Sequence, residues 1–231
     1  MRKRAFVVSF FVVLIVGAFS NATAIEIAAG VGGQQPFESP RALLYDQTDN
    51  AAGNGVPDQD FEAAFDAYDA EAADDFVVPA GDVAWDVDEI ATVGTTGTAG
   101  GATVDVWFYP DAAGWPGAAA VCSYADIVPV DNLGSLTITL PSVCHLPAGT
   151  YWLAIQVNQE FGIYGQHFWS NRSAQSNNES VWRNPGGGFG IGCTDWGRQT
   201  TCGVGGGAGL DLLFQILGTV VPVELQSLSV E

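Results

Sequence analysis

Beyond Ala72 the apolar positions of the chain fall at every second residue, in short segments rich in Val, Thr, Trp, Phe and Tyr and bounded by Gly, Pro or Asp. Successive side chains leave a strand on opposite sides, so this period predicts strands with one face in a core. In "TYWLAIQVN" Tyr151, Leu153, Ile155 and Val157 share one face, and Trp152, Ala154, Gln156 and Asn158 share the other. "ATVDVWFYPD" turns Val104, Val106 and Phe108 inward and Asp105, Trp107 and Tyr109 outward, while "SLTITLP" sets Leu136, Ile138 and Leu140 against Ser135, Thr137 and Thr139. Further strands are expected around 76–78, 85–93, 119–124, 166–170, 181–183 and 210–220. In "WDVDEIATVG" the pattern set by Val83, Trp85 and Val87 slips one position before it reaches Ile90 and Thr92, and a bulge there would flip the side chains that follow.

Turn chemistry separates these segments. "PDAAGWPG" reads as a projecting loop, and the glycine-dense "NPGGGFGIGC" and "CGVGGGAG" read as flexible or tightly turning. Neither is a phosphate-cradling loop, since no Lys-Ser/Thr follows and no βαβ unit surrounds it. "DFEAAFDAYDAEAADD" is the one helical hint and predicts one short helix, against the mutual repulsion of its acids. The expected fold is all-β: an antiparallel two-sheet β-sandwich of about 8 to 10 strands in a single domain.

The N-terminus sets a boundary of its own. Arg2, Lys3 and Arg4 precede an apolar run from Ala5 to Phe19, and Asn21-Ala22-Thr23-Ala24 supplies a small-x-small cleavage site, so 1–24 reads as a secretory signal peptide. The apolar run is shorter than the roughly 20 residues that span a bilayer. The domain expected at 25–220 is followed by a tail, 221–231.

Charge then narrows the partners. The chain holds 26 acidic residues against 7 lysines and arginines, a formal net charge of −19, and beyond the leader only Arg41, Arg172, Arg183 and Arg198 are basic. Such a field repels phosphate backbones and anionic lipid surfaces, which argues against nucleic acid and against membrane insertion. Four cysteines in an exported chain favour disulfides over metal ligation. Three pairings exist in principle; the sequence-local set, Cys122 with Cys144 and Cys193 with Cys202, is preferred.

The order of "LLYDQTDN", "ADDFVVPAG", "WDVDEI", "VDVWFYPDAAGWPG" and "CHLPAGTYWLAIQV" resembles a family of uncharacterised β-sandwich domains in secreted bacterial surface proteins. Tyr45-Asp46, Ala73 to Pro79 and Leu146 to Trp152 fill the places of its motifs, whereas Gln47 and Thr48 depart from the usual opening. The resemblance covers most of the chain after the leader and implies a jelly-roll-like fold at the cell surface; it carries over no proven catalytic residues. "VPVELQSLSVE" resembles the segment before the C-terminal sorting tails of type IX secreted proteins.

Outward Trp and Tyr on a sandwich give flat platforms on which sugar rings stack, with polar neighbours donating hydrogen bonds. On this ground Trp107, Tyr109, Trp115, Trp152, Trp169 and Arg172 are the candidate ligand-binding residues, for a polysaccharide or an extracellular matrix. In "HFWSNR" alternation makes one of Phe168 and Trp169 core and leaves the other available. Asp46, Asp49, Asp58 and Asp60 are hard oxygen donors of the kind calcium takes, with Asp74 and Asp75 as further donors, although the D-x-[DN]-x-[DN]-G spacing is missing. His145 and His167 lack zinc spacing, and no G-x-S-x-G elbow occurs. These features predict a non-catalytic carbohydrate- or matrix-binding module, calcium-assisted in one form; the rivals are a self-assembling structural surface protein and a polysaccharide hydrolase.

Overall fold

The computed structural model describes residues 41–82, 84–207 and 210–221; the expected leader, Val83 and the tail after Val221 lie outside the described residues. In chain order the elements are β1 (Ala42–Asp46), β2 (Ala51–Pro57), β3 (Gln59–Asp60), β4 (Glu71–Val78), β5 (Ala84–Thr92), β6 (Gly94–Thr95), β7 (Thr103–Pro110), β8 (Cys122–Ile127), β9 (Val130–Asn132), β10 (Ser135–Pro147), β11 (Gly149–Asn158), α1 (Phe161–Tyr164), β12 (Phe168–Arg172), β13 (Val181–Arg183), β14 (Gly197–Arg198), α2 (Gln199–Cys202), β15 (Asp211–Leu212) and β16 (Phe214–Val221).

Two large sheets face each other. One runs β1-β16-β5-β10-β9, and the other runs β14-β13-β4-β11-β7-β8, with β3 added in parallel to the end of β11. A small third sheet, β15-β12-β2 with β6 on β12, is built from continuations of the first, since β5 passes into β6 and β15 into β16. The fold is thus an all-β sandwich in which every pairing but β3 with β11 is antiparallel.

Alternation places the core as expected. Val104, Val106 and Phe108 of β7, Leu136, Ile138 and Leu140 of β10, and Tyr151, Leu153, Ile155 and Val157 of β11 are all buried in one cluster between the sheets. Phe76 sits at its centre, stacked on Trp85 of the opposite sheet at 6.2 Å and set edge-on to Phe108 and Phe214. The Cys122–Cys144 disulfide ties β8 to β10 across the two sheets, and Cys193–Cys202 closes the loop before α2.

The slip in "WDVDEI" is a bulge. Both neighbours of β5 pair with Glu89 and then with Val87, so Asp88 is left without a partner in either ladder. Gly218 lies opposite, where a Cβ would collide with the Asp86 carbonyl.

The expected helix in "DFEAAFDAYDAEAADD" does not form. One 3-10 turn, Asp66–Tyr68, is all the helix there, and β4 begins at Glu71. The reason is tertiary: Ala72, Phe76 and Val78 are needed on the core face of a central strand, which overrides the local helical preference of Ala and Glu.

Candidate functional site

The structure corrects the exposure expected of the tryptophans. Trp107, Tyr109 and Trp152 do leave the outer face of the β11 sheet, yet that face is covered. Trp152 is fully buried among Ala73, Ala154 and Val181, with Trp107, Tyr109 and Trp196 packed against the same cluster. Its indole N–H donates to Asp111 at 3.0 Å. Arg198 closes the cover: its guanidinium stacks on Trp115 at 4.2 Å and donates to the carbonyls of Glu179 and Gly114. Trp107 and Tyr109 are half-buried, and Trp115 keeps an exposed edge on its loop.

In "HFWSNR" the split is as expected, but Trp169 is the core residue. It is fully buried against Phe214, and its N–H donates to the Leu213 carbonyl. Phe168 is the available neighbour and lines a shallow hollow with Val93, Ser170 and Leu213. Arg172 is likewise turned inward, paired with Asp49 at 2.7 Å and Asp211 at 3.5 Å.

The acids proposed for calcium face different partners. Asp46 accepts from Thr48, Asp49 from Arg172, and Asp58 lies 2.6 Å from the ring of His167, while Asp60 opens onto a cavity. Proximity in the chain had grouped them; the turns between β1, β2 and β3 separate them. Among the described residues no group of three or more His, Cys, Asp or Glu could hold a metal ion. His167 Nε2 also faces the Gly134 carbonyl, so both ring nitrogens point at acceptors. Burial alone would lower its pKa, but the Asp58 charge and these hydrogen bonds raise it overall.

Asp74 and Asp75 are both buried. Asp74 accepts from Gln47 Nε2 and the Leu212 N–H, each at 2.6 Å, and so pins parts of all three sheets together. Burial, then the Asp211 charge, push its pKa well up; burial also carries Asp211 to about 7 and Asp75 to about 6.

A different place has the features of a binding site. Phe61, Phe65, Tyr68, Phe161 and Phe189 converge on an open hollow of about 250 Å³ that Gln166 also lines. Their rings meet at 5.4–6.4 Å, mostly edge to face: Phe65 on Phe161 and on Tyr68, and Tyr68 on Phe189. Phe65, Tyr68 and Phe161 remain 38%, 41% and 45% exposed, so this aromatic surface is not spent on the core.

Three chain segments build this bowl. The carboxylate of Glu62 accepts from the Phe161 N–H at 2.8 Å and fixes the start of α1 against the Phe61 strand end. Asp69 turns its loop back by accepting from the Phe61 N–H at 2.9 Å. Asn184 donates to the carbonyls of Ala67 and Asp69, and accepts from the Phe189 N–H. The glycines of "PGGGF" permit this approach: a Cβ on Gly186 or Gly188 would come within 2.7 and 2.5 Å of the Ala67 backbone. Close packing, rather than flexibility, is what the run provides.

Beside the bowl, and sharing Phe61 with it, lies a polar cavity of about 450 Å³ lined by Asp60, Glu62, Asn158, Glu160 and Tyr164. Asn158 donates to Asp105 at 3.2 Å, and its own carbonyl oxygen is buried without a partner. Burial, then repulsion from Asp69, Asp105, Asp66 and Glu71, raises the Asp60 pKa to about 6. The site thus sets an aromatic wall beside an acidic one, in which Asp60 is partly buried and Glu160 is exposed, an arrangement that holds an apolar ring face and orients polar or cationic substituents.

Sequence reasoning missed this site. Phe61, Phe65 and Tyr68 lie in the stretch expected to form a helix from its Ala and Glu content, and Phe161 and Phe189 are some hundred residues away. Compared with family models, curated proteins and solved structures, the chain matches none of them. Among the described residues no helix is long and apolar enough to cross a membrane.

Proposed function

We propose that this chain is a secreted, non-catalytic binding module at the cell surface that seats a saccharide in the aromatic bowl. One observation carries the reading: five rings drawn from three distant segments line one hollow, and three of them stay nearly half exposed while the tryptophans of the sheets are packed away. Two disulfides suit an oxidising, extracellular setting. At about 250 Å³ the bowl lies just below the ~300–1,000 Å³ range of ligand pockets, which fits one ring better than a long chain segment. A polysaccharide and oligosaccharide panel, run in calcium and again in chelator, tests the reading. Retention on at least one saccharide, lost in a Phe65→Ala/Phe161→Ala variant of unchanged fold, supports it; retention on none sinks it.

A second reading, self-assembly, is favoured by the edge strand β9, in and beside which Val128, Val130 and Leu133 stand exposed. Sedimentation over a range of concentrations distinguishes it, because a monomer at every concentration removes that reading.

A further inference from the structure

We infer that the bowl and its acidic neighbour select a saccharide that carries a free, protonated amine, with its ring against Phe161 and its ammonium group directed to the Asp60–Glu160 cavity. The inference rests on the saccharide reading above and narrows it to a ligand class.

Charge complementarity carries it. The cavity that shares Phe61 with the bowl is walled by Asp60, Glu62 and Glu160. Basic side chains among the described residues are committed elsewhere: Arg41 to Asp88 and Glu89, Arg172 to Asp49 and Asp211, and Arg183 to Glu71. Arg198 lies over Trp115, His145 faces Asp86, and His167 is held by Asp58. The carboxylates around the cavity therefore have no basic partner among the described residues. A substituent that brings positive charge and several N–H groups answers these acids, which can only accept while ionised. The rings supply the rest, because the π faces of Phe and Tyr attract a cation as well as a C–H surface. An acetylated amine would bury an amide against carboxylates and lose the ion pairing.

The test compares a glucosamine oligomer with free amines against its N-acetylated counterpart by titration calorimetry, at mildly acidic pH and at low and high salt. The free-amine oligomer is expected to bind about tenfold tighter. That preference should shrink in Glu160→Gln, an exposed change that leaves the fold alone, and in Asp60→Asn. All binding should vanish in Phe65→Ala/Phe161→Ala, whose net charge is unaltered. Equal affinity for the two oligomers overturns the inference and leaves the saccharide reading standing. Failure of both oligomers to bind overturns the inference and counts against the saccharide reading. Free-amine binding that survives in the aromatic double variant would be attraction to net charge alone, and also overturns it.

Discussion

Asp74 and Asp75 are adjacent in β4, point to opposite faces of it, and are both buried. Asp74 reaches into the interior to Gln47 and Leu212, whereas Asp75 reaches outward to Asn178, from which it accepts two sets of hydrogen bonds. Two acids in a strand that is covered on both sides tie the sandwich to its outer layer and to the small third sheet.

That arrangement sets the pH dependence of stability. In the folded state Asp211 is pushed up to about 7 and Asp75 and Asp60 to about 6, Asp74 is raised well above its ordinary value, and His167 is raised as well. A group raised in the folded state stabilises fully below its unfolded pKa, and that contribution is lost as pH climbs through the folded value. For the carboxylates the loss runs from about pH 4 to about pH 7, and His167 continues it above. Asp46 and Glu62, lowered by hydrogen bonds to Thr48 and Phe161, act in the opposite sense only below about pH 4. Calorimetry should therefore give a higher Tm at pH 5 than at pH 8. Asp211→Asn should flatten the difference, because an amide keeps the acceptor for the Ser176 N–H and cannot ionise. A Tm that rises from pH 5 to pH 8 would contradict the assignment.

Trp152 and Phe161 should separate stability from binding. Trp152→Ala empties a fully buried site and is expected to cost about 3–5 kcal/mol in denaturant unfolding. Phe161→Ala removes a half-exposed ring and should cost about 1 kcal/mol or less while weakening saccharide retention. The reverse pattern, with Phe161 essential to folding and Trp152 dispensable, would move the site back to the tryptophan face.

Glycines at the rim give a third contrast. Gly188→Ala would press a methyl group onto the Ala67 carbonyl, displacing Phe189 from Tyr68, with a cost of roughly 1–3 kcal/mol and weaker binding. Gly162→Ala, in α1 beside the same bowl, meets nothing within 4 Å and should be neutral or stabilising by about 0.4–1 kcal/mol. Unfolding midpoints of the two variants decide the matter.

What the sequence disclosed follows from which physics is local. Period-two alternation is local, so the core faces of β7, β10 and β11, and even the bulge at Asp88, could be read from it. The nearest cysteines are the pairs that join. Alternation says which face a side chain leaves by and nothing about what lies over that face, which is why Trp152 was expected in water and is found under Arg198 and its loop. In "HFWSNR" the same rule fixed the split between Phe168 and Trp169 without its sign, because the inward side of β12 is set by Phe214 of another strand. The bowl needs Phe61, Phe161 and Phe189 brought together by β11 and the 184–190 loop, a long-range outcome with no local signal.

The central claim is the location of the site, and chemical-shift mapping of the labelled protein during titration with an oligosaccharide retained in the panel tests it most directly. Saturable shifts confined to residues 60–69, 158–166 and 186–190 are the predicted result. Shifts that cluster instead around Trp107, Trp115 and Trp196, or no shifts at saturating ligand, would contradict it.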